Sequence, residues 1–176
     1  MALDLNSVQR MKREKLITVA EWTVGSGQSA TQKRQILGVR TPDSSIELNI
    51  DKQKTTDVCG HTYTDIEKVE PSQTFDPHYI LGGSDFDEYL MNAFLDCDTD
   101  KFNQVFNVYV INAADDSGSG SSHAYATRKY SNCTIAPTSL GGENYVGMPI
   151  EVDYDSSPTK GTVDKLSDDF TFSAAS

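Results

Sequence analysis

The sequence predicts a mainly β domain, a two-sheet sandwich or barrel-like fold flanked by one α-helix. Two observations carry this. Short stretches rich in β-branched and aromatic residues recur between Gly, Pro, Asn and Asp along most of the chain. A single stretch, about 84–96, spaces its apolar residues for a helix. Many strands with one helix argue against an alternating α/β arrangement. At 176 residues the chain suits one domain with its own core.

The first strand is expected at 16–24 (LITVAEWTV), where a β-branched run ends at Gly25. A second follows at 35–40. At 45–51 (SIELNID), Ile46, Leu48 and Ile50 alternate with Glu47, Asn49 and Asp51, which predicts one buried and one wet face. Residues 51–80 read as a long loop or hairpin. Its centre, 55–77, alternates like a strand between Gly60 and the prolines Pro71 and Pro77 and carries no catalytic group.

Ser84 is a fitting N-cap for the helix, with Asp85, Asp87 and Glu88 in the first turn, where negative charge suits the helix dipole. Phe86, Leu90, Ala93, Phe94 and Cys97 form the stripe expected to pack on a sheet. Further strands are expected near 104–111, 124–134, 145–154, 159–163 and 170–172. The segment DDSGSGSS at 115–122 reads as a flexible hairpin tip. Residues 1–15 read as a short helix or an arm that orders on a partner.

Charge narrows the function. The chain holds 26 acidic and 15 basic residues, a net charge of −11, which disfavours phosphate-contacting nucleic-acid binding. Seven of the basic side chains lie within the first 40 residues beside only three acidic ones. Such asymmetry fits a solvated surface or head-to-tail association of subunits. Cys59, Cys97 and Cys133 are widely spaced and include no C-x-x-C pair, so neither a zinc site nor a disulfide framework is indicated, and a reducing compartment is the simplest setting. The N-terminal residues are too polar for a signal peptide, and no apolar run approaches a membrane span.

Several stretches imitate chemical motifs. Residues 25–30 match G-x-G-x-x-A after a strand, but turn and strand follow where a dinucleotide site needs a helix. Residues 96–100 begin like a calcium loop, yet Lys101 and Asn107 stand where Gly and a bidentate Glu are required, so an acidic helix end is expected. Asn132-Cys-Thr134 fits a glycosylation acceptor in a chain without a secretion signal. His61, His78 and His123 form no His-x-x-x-His pair and read as ordinary surface histidines, and no G-x-S-x-G is present. No catalytic residue, metal ligand or cofactor is assigned.

The runs DVCGHTYTDIEKVEPSQTFDP at 57–77, GGSDFDEYL at 82–90, SNCTIAPTSLGGENY at 131–145 and KGTVDKLSDDFTFS at 160–173 resemble the major tail tube proteins of long-tailed, siphophage-type bacteriophages. That fold also occurs in contractile tails, phage-tail-like bacteriocins and type VI secretion tubes. The resemblance implies a structural virion protein and not an enzyme. Copies would close into hexameric rings, and the rings would stack into a tube that conducts DNA without binding it specifically. Its partners would be further copies of itself, a tape measure protein, and tail terminator and baseplate proteins. The expected location is the virion tail, assembled in the bacterial host cytoplasm.

Within that expectation, 51–80 is the loop that reaches the adjoining ring. Its candidate contacts are Tyr63, Asp65, Ile66, Glu67, Lys68, Val69, Glu70 and Phe75, since apolar residues a small domain cannot bury alone mark an interface. The other reading is a hairpin folded onto its own domain. Candidate lumen carboxylates are Glu47, Asp51, Glu151, Asp153 and Asp155, because an acidic wall repels DNA and leaves it free to slide. Period-two alternation equally allows them an outward solvated face. The alternative from another class is a monomeric β-sandwich module that binds carbohydrate or a host surface on a larger assembly.

Overall fold

A computed structural model of the chain describes residues 11–25, 30–119, 121–155 and 157–175. Residues 1–10 of the expected N-terminal arm and 26–29 of the glycine-rich motif lie outside the described residues. A 3-10 turn at Arg13–Lys15 leads into β1 (Leu16–Val24) and β2 (Thr31–Leu37). There follow β3 (Ile46–Glu47), β4 (Ile50–Thr56), β5 (Thr62–Val69) and β6 (Ser72–Phe75). Helices α1 (Asp85–Asp96) and α2 (Thr99–Phe102) come next. The chain continues with β7 (Phe106–Asp116), β8 (Tyr125–Pro137), β9 (Ile150–Asp153), β10 (Thr159–Val163) and β11 (Phe172–Ala174). The fold is mainly β, with a large antiparallel sheet, a second small sheet and few helices.

Nine strands form the large sheet in the order β2-β1-β7-β8-β9-β6-β3, with β10 and β11 branching from β8. The branch arises because β8 is shared. Residues 125–129 pair with β10, whereas 134–137 pair with β9. Between these two stretches Asn132 adopts φ 60 and the pairing with β7 shifts register. An irregularity of this kind bends a strand and re-aims its continuation, so one long strand serves two half-sheets.

The central strands are buried on both faces, which explains their near-continuous apolar runs. From β1 and β7, Ala20, Trp22, Phe106, Val108 and Val110 enter one core cluster with Phe75, Ile135, Ile150 and Val152 from the other half-sheet. Intervening residues Val19, Tyr109 and Ile111 join Val163 and Phe170 in a second cluster on the opposite face. Phe86 from α1 meets Trp22 at 5.2 Å and Phe106 at 6.2 Å between ring centroids.

Helix α1 starts where expected: the Ser84 side chain accepts from the Asp87 N–H. Phe86, Leu90 and Ala93 are buried and Phe94 is half-buried. Cys97 does not extend the stripe. It takes φ 50 as the C-cap and is exposed, because the helix has already ended. A second short helix follows instead of a plain turn, since Asp98 accepts from the N–H groups of Asp100 and Lys101 and caps α2.

The strand expected at 45–51 is two strands. Asn49 takes φ 43 and breaks it, and its side-chain amide donates to Glu70 O and Ser72 Oγ. Leu48 and Ile50 are therefore exposed, not on a buried face. The strand expected at 145–154 begins only at Ile150; Tyr145 and Val146 lie in an exposed loop, while Met148, Ile150, Val152 and Tyr154 are buried.

Two polar networks are built around buried side chains, Gln73 and Glu21. Gln73 Oε1 accepts from Tyr154 Oη at 2.6 Å and Thr18 Oγ1 at 3.2 Å, and Gln73 Nε2 donates to Ser44 Oγ at 2.9 Å. Glu21 accepts from Arg34 at 2.7 Å, Asn107 at 2.9 Å and Tyr109 at 3.1 Å. Burial alone would raise the Glu21 carboxyl, but the hydrogen bonds of Asn107 and Arg34, the Arg34 charge and the Tyr109 hydroxyl together hold it below the usual range. Arg34 also donates to Phe170 O and stacks 4.3 Å from the Phe170 ring, tying the C-terminal turn to the sheet.

Candidate functional site

Among the described residues, strands β4 and β5 pair only with each other and make the small second sheet. From Ile50 to Glu70 every residue is exposed except half-buried Asp57. At about 3.3 Å per residue, strands of this length carry the tip roughly 25 Å from the base. The base is fixed by Glu70 N–H donating to Leu48 O at 3.1 Å and by the Asn49 amide. The tip is fixed by Asp57, which accepts from the N–H groups of Cys59 and His61 and from the Tyr63 hydroxyl. Those bonds, the His61 N–H foremost, hold the Asp57 carboxyl below its usual range.

The projecting element is thus shorter than the 51–80 expectation. Residues 72–80 belong to the body: β6 pairs with both β3 and β9, and Phe75, named as an arm contact, is 1% exposed in the core. Gly38 packs so closely on Phe75 that a Cβ there would sit 3.0 Å from the ring. Tyr63, Asp65, Ile66, Glu67, Lys68, Val69 and Glu70 all remain exposed on the hairpin or at its base.

The second expected surface is the wet face of the half-sheet β8-β9-β6-β3. The register aligns Ile46, Gln73, Val152 and Ile135 on the core side. The next row, Glu47, Ser72, Asp153 and Thr134, faces out, followed by Thr74, Glu151 and Ala136. Glu47 and Asp153 sit two strands apart, about 10 Å at ordinary strand spacing. Glu47 and Glu151 line a cleft of about 440 Å³ together with Asp43 and Asp76. Asp155 lies with Glu151, Asp153 and Lys68 along an adjoining cleft. The structure therefore brings four of the five candidate carboxylates to one surface. Asp51 is set apart on the hairpin, paired across strands with Lys68. Asp43 and Asp76 join the surface from a turn and a strand end, where no alternation could flag them.

Among the described residues, none of Asp43, Glu47, Asp76, Glu151, Asp153 and Asp155 forms an ion pair. Lys68 is engaged by Glu70, and the Lys68 ammonium is raised above its usual range by Glu70 first, then by Asp51 and Asp155. A sheet face carrying uncompensated carboxylates presents a strongly negative wall.

His78 corrects the expectation of surface histidines. It is 4% exposed, and its Nε2 lies 2.8 Å from Asp87 Oδ1. Asp87 Oδ2 also accepts from Leu81 N–H at 2.9 Å, so this pair fastens the 76–81 segment to α1. The His78 Nδ1 has no hydrogen-bond partner among the described residues. Among those residues no group of three or more His, Cys, Asp or Glu side chains is placed to hold a metal ion. No helix among them is long and apolar enough to cross a membrane.

No family model matches the chain, and no curated protein matches it. Among solved structures, the cryo-EM structure of the anti-feeding prophage cap (AFP tube terminating cap) aligns over 99% of this chain and 100% of that chain, with 14% identity and a TM-score of 0.43. A likeness at that level carries no weight for this chain's fold or function.

Proposed function

We propose that the chain is a structural subunit of a phage-type tail tube, in which hexameric rings of this protein stack into a conduit for DNA. The observation that carries this reading is the hairpin β4–β5. It is an exposed two-stranded element that places Ile50, Tyr63, Ile66 and Val69 in water, with exposed Leu48 at its base. An isolated two-stranded ribbon is marginally stable in water and gains stability from a surface to pack on, and exposed apolar residues mark such a surface. A neighbouring ring supplies it. The carboxylate face formed by Glu47, Glu151 and Asp153 suits a wall past which a polyanion slides, because its carboxylates repel phosphate and the cation that borders it, Lys68, is already paired with Glu70. The sequence resemblance to tail tube proteins supports the same reading.

The arm tests it. Excision of residues 51–69, with the ends joined by a short turn, leaves every core residue in place. The shortened chain is expected to unfold at nearly the temperature of the full chain and to sediment as a monomer at concentrations where the full chain assembles. Assembly of the shortened chain into the same particles would overturn the reading.

A second reading has one observation of its own. Tyr145 is 76% exposed, edge-on to Tyr79 at 6.2 Å. Both line a cleft with Asp76, Glu143 and Asn144, a combination of aromatic and polar groups that suits a sugar-binding module. A monomeric full chain that is retained on glycan surfaces would favour it.

A further inference from the structure

We infer that the hairpin docks through one specific face, the one bearing Lys52 and Lys54, onto the exposed side of α1 in a second copy of the chain. The inference rests on the tube-subunit reading above and adds which surfaces meet.

Cross-strand partners share a face, and faces alternate along each strand. The pairs Ile50 with Val69, Lys52 with Ile66, Lys54 with Thr64 and Thr56 with Thr62 therefore fall on one side. Asp51 with Lys68, Gln53 with Asp65 and Thr55 with Tyr63 fall on the other. The register shift between Asp51 and Lys52 leaves Glu67 as the extra residue and keeps the two sets apart along the whole ribbon. The paired residues of the first face are three exposed aliphatics, two lysines and three threonines, with no carboxylate among them. The second holds Asp51 and Asp65.

The lysines differ in the same way. Lys68, on the second face, is already paired with Glu70. Lys52 and Lys54 form no ion pair among the described residues. Lysine stems lying beside Ile50, Ile66 and Val69 extend the apolar strip and end in free ammonium groups. The complement of such a face is a surface that offers carboxylates and exposed apolar area together. The wet half-sheet face offers carboxylates among Ser and Thr, without the apolar part. The exposed side of α1 offers both. Asp85, Glu88, Asn92, Leu95 and Asp96 are its exposed residues, Leu95 is 62% exposed, and the helix carries no basic residue. Lys33 and Lys101 already pair with Asp85 and Asp96, whereas Glu88 has no ion pair among the described residues and is free for a lysine from outside.

The test compares full-length chains by sedimentation velocity and negative-stain microscopy over a concentration series, with circular dichroism to verify folding. Reversing the first face with Lys52→Glu and Lys54→Glu is expected to raise the concentration needed for assembly at least tenfold. Neutralising the second face with Asp51→Asn and Asp65→Asn is expected to leave it within about twofold. Adding Glu88→Lys to the reversed arm is expected to restore assembly. Equal effects from the two faces, a larger effect from the aspartates, or no restoration by Glu88→Lys would overturn the inference and leave the tube reading standing. A wild-type chain that stays monomeric would overturn both.

Discussion

Glu21→Gln removes a buried charge while changing the side-chain volume little. Glu21 is 3% exposed and receives three hydrogen bonds, one from the guanidinium of Arg34. A neutral amide has a single acceptor oxygen for those three donors, and its NH2 meets another donor. Removing one partner of a buried ion pair costs about 3–5 kcal/mol when the other charge is stranded. Arg34 is not wholly stranded, because it keeps its bond to Phe170 O and its stacking on that ring. The expected loss is therefore smaller, about 2–3 kcal/mol, or roughly 5–10 °C in Tm for a domain of this size.

The same substitution has a defined pH dependence. The folded-state carboxyl of Glu21 is depressed below its ordinary value of 4.5. Its contribution is fully present above that value and is lost as pH falls through the depressed folded-state value. Thermal unfolding of the wild-type and Gln chains should thus differ most near pH 7 and converge in acid, once the glutamic acid is neutral. A Tm difference that is absent at pH 7, or that is constant down to pH 3, would refute the role given to this charge.

Phe86→Ala removes the ring that joins α1 to Trp22 and Phe106, and urea unfolding should show a loss of about 3–5 kcal/mol. Thiol labelling of the native chain should find two fast groups, exposed Cys59 and Cys97, and one slow one, because burial pushes the Cys133 thiol up to about 12. Glu47→Lys with Glu151→Lys changes only the wet sheet face. Such chains are expected to fold and assemble but to retain duplex DNA at low salt, and DNA retention unchanged from wild type would count against a conduit wall.

How much of this was legible in the sequence follows burial. Strand β1 was readable to the residue because both its faces are covered and its run is almost unbroken in β-branched and aromatic residues. Helix α1 was readable from Ser84 and the Phe86, Leu90, Ala93 spacing, its end at about 96 included; only the apolar stripe ran one residue too far, since nothing in the spacing shows that Cys97 turns left-handed. The hairpin left a weaker trace: 51–80 reads as a loop or hairpin with strand-like alternation at its centre, where β5 lies, but Lys52 to Thr56, with neither face buried, carry no hydrophobic alternation to mark β4. The candidate contacts run from Tyr63 to Phe75 and include none on β4, whereas the face that carries Ile66 and Val69 is completed by Ile50, Lys52 and Lys54 from β4 through a register that includes a bulge. The acidic surface was half legible: alternation flagged Glu47, Asp51, Glu151, Asp153 and Asp155, and only the sheet order β9-β6-β3 shows that Glu47 lies beside Glu151 and Asp153 while Asp51 does not. His78 and Asp87 gave no signal, as a histidine nine residues before an acidic helix position matches no spacing rule.

Electron microscopy of the concentrated full-length chain tests the central claim most directly. Stacked rings, or tubes with a regular axial repeat that vanish when residues 51–69 are excised, are the expected result. Dispersed monomers of both chains at every concentration would contradict it.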